Sequence, residues 1–230
     1  MKTQEKNFDG IKLSGFTAIL IMLALTGTAI YLLSLPQTPS IIAGVICGIC
    51  VVVMLPGFMI IQPNNSRVLT FFGRYAGTVI SNGFYWVNPL FLKSTVTLRI
   101  LNLNIDPIKV NDKVGNPIMI GAVVVWRIKD TYKASFDISG NIREFVQIQS
   151  DAALRQVAGM YAYDTNETID KVTLRSDESG EITQRLEDEL NSRLAIAGIE
   201  IVEARINYLA YASEIASVML RRQQADAIIS

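Results

Sequence analysis

The chain has 230 residues, half of them hydrophobic, with 21 Lys and Arg balancing 21 Asp and Glu and no histidine. The missing imidazole excludes Ser-His-Asp and Cys-His nucleophiles, HExxH zinc sites and every His-based general acid or base. A net charge of zero gives no reason to expect nucleic acid as a partner and argues against a polybasic lipid-binding patch.

Residues 1–12 read as a short N-terminal tail. Two apolar runs without a charged residue follow, 13–35 and 40–61, separated by the turn-like Pro36-Gln37-Thr38-Pro39. Each exceeds the roughly 20 residues needed to cross a hydrocarbon core, and the first is too long for the apolar region of a signal peptide. Backbone polar groups in lipid must be satisfied internally, so the pair predicts a transmembrane helical hairpin. Lys2, Lys6 and Lys12 precede the first run, Arg67 and Arg74 follow the second, and the connecting turn has no basic residue. The positive-inside rule then puts the tail and the soluble part on the cytoplasmic side of the cell membrane. A hairpin that dips in and returns without crossing gives the same sidedness. Cys47 and Cys50 lie at i, i+3 within the second run. Consecutive helical turns disfavour an internal disulfide, so they read as small apolar packing residues, with helix-to-helix contact or acylation as the functional alternative.

From Ser66 to Lys129 the pattern is strand-like, punctuated by Gly73-Arg74-Tyr75-Ala76-Gly77, Ser81-Asn82-Gly83 and Asn111-Asp112-Lys113-Val114-Gly115-Asn116. Ile118, Ile120, Ala122, Val124, Trp126 and Ile128 share one face of the clearest run, and Met119, Gly121, Val123 and Val125 the other. This predicts a central strand, apolar on both faces. Beyond Asp130 the period becomes helical. Asn141 is a candidate N-cap for Ile142, Phe145, Val146, Ala153 and Val157, which run to Gly159. Ser176, Asp177 and Glu178 announce a second helix carrying Ile182, Leu186, Leu190 and Leu194 and ending at Gly198. A strand with Val202, Ala204, Ile206 and Tyr208 on one face follows. Residues 211–230 then place Ile215, Val218, Arg222, Ala225 and Ile229 at heptad spacing, the expected start of a coiled-coil helix that runs on past Ser230. The fold class is α+β: a hairpin over 13–61, a β-rich subdomain over 62–130, an α/β subdomain over 131–210, and the C-terminal helix.

Several of these pieces, in order, resemble the SPFH or band 7 superfamily of stomatin, prohibitin and flotillin. They are Ile61-Gln62-Pro63, Val68-Leu69-Thr70-Phe71-Phe72-Gly73, Gly83-Phe84-Tyr85-Trp86-Val87-Asn88-Pro89, the strand from Gly115 to Asp130, Ala152-Ala153-Leu154-Arg155, and Leu190-Asn191-Ser192-Arg193-Leu194 with Gly198-Ile199-Glu200-Ile201. The resemblance spans Ile61 to Ile229. Two full-length apolar runs depart from the single short intramembrane hairpin of many stomatin-like members.

The resemblance implies SPFH1-like and SPFH2-like subdomains in a non-enzymatic scaffold without cofactor. Such a scaffold homo-oligomerises into a ring or cage, organises a membrane microdomain, and encloses or regulates membrane proteins such as proteases. The alternative is a regulatory subunit in a fixed complex with a membrane-bound protease or small partner membrane protein. Enzymatic readings find no GxxxxGK[ST], no GxGxxG and no acidic pair within a motif. Candidate contacts with membrane lipids are Phe84, Tyr85, Trp86 and Phe91, whose rings suit the headgroup layer and equally suit a β-domain core. Candidates for contact between copies are Arg185, Glu189, Arg193 and Arg222, the first three of which equally suit a solvated helix face.

Overall fold

The computed structural model describes residues 5–164, 172–176 and 180–219. The chain divides into two compact units, Met1–Arg99 and Ile100–Ser230.

In the first unit a short strand, β1 (Lys12–Ser14), passes without a linker into helix α1 (Gly15–Ser34). Leu35 is extended, as the residue before a proline prefers, and ends this helix. Helix α2 (Thr38–Met54) starts with Pro39 in its first turn, where the missing N–H costs nothing. The second apolar run was expected to be helical from 40 to 61, but α2 stops at Met54. A 3-10 turn, Leu55–Gly57, follows, and then strand β2 (Phe58–Ile61). Pro56 forbids helix continuation, and the next four residues alternate, with Met59 and Ile61 buried and Ile60 63% exposed. Thr38–Gly57 is still 20 residues long, like Gly15–Ser34, enough for about 30 Å of helical rise. The helices bury small residues, Ala18, Ala29 and Gly44, and expose Leu20, Leu23, Ile42, Ile46 and Val52. A core helix of a soluble protein would show the opposite; such a surface belongs in lipid.

Among the described residues of this unit the strands form two antiparallel three-stranded sheets. In one, β5 (Gly83–Val87) is flanked by β1 and β2; in the other, β3 (Asn65–Phe71) is flanked by β4 (Arg74–Val79) and β6 (Phe91–Thr97). Both contribute to one core of Met59, Ile61, Leu69, Val79 and Val87. The N-terminal segment is part of it: Phe8 packs on this core, and its N–H donates to Thr78 O at 3.0 Å.

In the second unit β8 (Pro117–Ile128) is central between β7 (Leu101–Asn111) and β9 (Ile199–Tyr211). Its face from Ile118 to Ile128 is buried, as the sequence predicts, whereas Met119, Val123 and Val125 on the other face are only half-buried. After a short helix, α3 (Thr131–Phe136), come α4 (Ile142–Ala158) and α5 (Glu181–Leu194). Asn141 Oδ1 accepts from Arg143 N at 2.9 Å and caps α4. The residue preceding α5 is Gly180, not Ser176, whose N–H instead donates to Thr173 Oγ1. Gly198 adopts the expected left-handed conformation, φ +67°, and its carbonyl accepts from Lys129 N and Asp130 N. The boundary between the two compact units lies at Arg99. The change of period at 130 marks where β8 ends, and β8 pairs along its length with β9, which keeps 101–128 with the C-terminal half. Residues 213–219 are helical. Arg222, Ala225 and Ile229 of the expected heptad lie outside the described residues.

Candidate functional site

Alternation along β5 sends Phe84 and Trp86 to one face and Tyr85 and Val87 to the other. Phe84 stacks on Phe58 (centroids 5.6 Å apart) and meets Phe16 edge-on at 5.5 Å. A β-carbon on Gly15 would lie 2.3 Å from the Phe84 ring, and one on Gly57 would lie 2.3 Å from Trp86 Nε1. Two glycines thus let two aromatic rings sit against the ends of the apolar helices. Trp86 Nε1–H donates to Met54 O at 2.9 Å, and Lys93 Nζ donates to Pro56 O. These side chains give a donor to the carbonyl of Met54, the last residue of α2, and to that of Pro56 in the turn beyond it. Burial, and then the nearby Arg67, lower the Lys93 ammonium below its ordinary pKa.

The four aromatic candidates therefore divide. Phe84 and Trp86 brace the helix ends. Tyr85 packs against the core with the Lys12 ammonium 4.7 Å from its ring centroid, and Phe91 lies between Phe8 and Phe71, 5.4 and 5.3 Å away.

Of the charged candidates on α5, Glu189 and Arg193 pair with each other at 2.6 Å, and Arg193 Nη2 also donates to Gln156 Oε1 on α4. Arg185 is exposed. Glu187 and Asn191, to which the sequence assigned no contact within the protomer, fasten α5 to the sheet. Glu187 Oε1 accepts from Ala204 N and Asn191 Oδ1 from Ile201 N, each at 3.0 Å. Their i, i+4 spacing beside the leucine stripe is a signal, but the pairing irregularity of β9 that they serve is not visible locally. On the sheet, Glu200 accepts from Lys129 and Arg127, and these bonds hold its carboxyl below the usual range.

The zero net charge conceals a separation. Up to Arg99 there are seven Lys or Arg (Lys2, Lys6, Lys12, Arg67, Arg74, Lys93, Arg99) and two acids (Glu5, Asp9), a net +5, leaving −5 for the rest. From Gly10 to Ile105 no acidic residue occurs. The inference from total charge against a basic, lipid-facing region therefore does not hold for the first unit.

A family model described as SPFH domain / Band 7 family matches residues 59–229, which begins in β2 and leaves both apolar helices outside it. No curated protein matches the chain.

Proposed function

The chain belongs to the SPFH domain / Band 7 family, and from that premise we propose that it is a non-enzymatic membrane scaffold whose copies assemble laterally into a ring or cage. The assembly organises a patch of bilayer and encloses membrane proteins, proteases among them. One observation carries the reading: both ends of the helical hairpin are strands of the same sheet, β1 and β2 on either side of β5, with no linker between β1 and α1 and only the 3-10 turn Leu55–Gly57 between α2 and β2. A β unit fastened in this way sits at a fixed height above the bilayer. Copies confined to one surface at one height raise each other's effective concentration, so weak side-to-side contacts suffice for assembly. The same closure supports a hairpin whose two ends emerge on one side, the cytoplasmic side by the positive-inside rule. Electron microscopy of the polymer-extracted protein, carrying whatever residues follow Ser230, tests the proposal. Large closed particles of one polypeptide are expected. Monomers or dimers at native expression levels would overturn it, and a small complex that always contains a second protein would replace it with a dedicated subunit.

A further inference from the structure

In the second unit β9 is an edge of its sheet, and α5 covers only part of that edge. Asn191 takes the N–H of Ile201, and Glu187, four residues earlier on the helix, takes that of Ala204. Thr183, a further four residues back, lines a groove of about 450 Å3 that runs beside residues 205–209, with Tyr163, Leu174 and Arg175 forming the rest of its wall. Among the described residues no group bonds the outer N–H and C=O groups of this stretch. A row of open strand groups facing a groove is a template for another extended chain.

The pairing irregularity of β9 shapes this groove. Ile206 lies opposite Ala122 and Tyr208 opposite Gly121, so Asn207 is an extra residue. Its side chain crosses β8 where Gly121 leaves room, and Nδ2 donates to Asn104 Oδ1 at 2.9 Å. The extra residue brings Arg205 and Tyr208 to one face, where regular alternation would oppose them. It also interrupts the edge, which therefore suits a short segment and not the edge of a second sheet. Charge narrows the occupant further. Two arginines and no acid line the groove, although the unit has a net charge of −5. Arg175 Nη1 bonds Asp164 at 2.8 Å and Arg205 Nε bonds Glu203, so each exposed guanidinium keeps N–H groups for a second carboxylate.

We propose that this groove is a peptide-docking site, which takes a short, acidic, extended segment of another protein as an added strand on β9, its carboxylates meeting Arg175 and Arg205 and an apolar side chain lying against Tyr208. The site belongs to the second unit alone and is independent of ring assembly.

The full chain in detergent micelles is panned against a displayed library of random heptapeptides, with the double variant Arg175→Glu, Arg205→Glu as counter-selection. Recovered peptides are expected to carry Asp or Glu at alternate positions. One of them, labelled with fluorescein, is then titrated by fluorescence anisotropy. Arg175→Gln and Arg205→Gln should each weaken its binding by up to about fivefold, with melting temperatures unchanged because both side chains are exposed. N-methylation of every second amide nitrogen of the peptide should abolish binding in at least one of the two registers. No enrichment over the double variant, or enriched peptides without acidic residues, overturns the site. Unchanged affinity in both Gln variants overturns the role of the arginines, and binding that tolerates methylation in both registers overturns strand addition.

Discussion

A β-carbon at Gly57 would sit 2.3 Å from the Trp86 indole nitrogen, closer than packing allows, so even alanine must push the ring off Met54 O. Gly57→Ala is expected to cost about 1–3 kcal/mol by overpacking. Trp86→Phe keeps the ring but loses the N–H, and should cost about 1 kcal/mol. Thermal unfolding in a single detergent, followed by near-ultraviolet circular dichroism, would order the two. Asp151 on α4 has one carboxyl oxygen buried with no hydrogen-bond partner among the described residues. Burial raises its carboxyl above the ordinary carboxylate value; Arg155 pulls it back, and Asp106 adds to the rise. Between the ordinary and the raised value the folded state holds a proton that the unfolded state has released, so stability falls as pH rises through that window. Asp151→Asn should therefore stabilise the protein at neutral pH, by less than about 1 kcal/mol because solvent screens a half-exposed carboxyl, with the gain gone once pH falls below about 4. Urea unfolding at both pH values measures it, and equal gains at both would show that charge is not the cause.

Helix α5 is held to its surroundings from three sides: by its leucine stripe, by the Arg193 contact with Gln156 on α4, and by Glu187 and Asn191 on the edge of β9. Asn191→Ala leaves the Ile201 N–H without its partner and should cost about 1–3 kcal/mol, whereas Arg185→Ala on the open face should change stability by less than about 0.5 kcal/mol. Arg185 is accordingly the clean probe of contact between copies. Arg185→Glu should shift the particle size without altering the melting temperature, while Arg193→Glu would disturb the protomer first. Much at this scale was legible in the sequence. Alternation gave β8, the i, i+4 leucines gave α5, Asn141 and Gly198 gave an end of each of two elements, and charge-free length gave the hairpin. What was not legible had two physical sources. An apolar strand following an apolar helix leaves no change of hydropathy at Met54, so only Pro56 and Gly57 mark the transition. Pairing between residues far apart in sequence, such as β8 with β9, leaves no local trace, which hid both the boundary at Arg99 and the contacts made by Glu187 and Asn191. Which of Phe84, Tyr85, Trp86 and Phe91 face the helices was not legible for the same reason, because it depends on the register of β5.

For the molecule as a whole, the hairpin either crosses the bilayer or turns back within it, and Gln37 at its tip distinguishes the two. In a version with Cys47→Ala and Cys50→Ala, a cysteine replacing Gln37 should react with an impermeant thiol reagent added outside intact cells. Reaction only from the cytoplasmic face would mean the hairpin does not cross. The strand arrangement at its base also bears on how the chain comes to be assembled. Lys12 pairs with Val87, so about 75 residues, both helices included, must be made before β1 meets its neighbour, a large loop to close against chain entropy. Until then β1 has no strand partner and the base of the hairpin is open. Once β5 slots between β1 and β2 the base is latched. To free either end of the hairpin, the chain would first have to strip a strand from that sheet, so the order of synthesis sets when the base is latched.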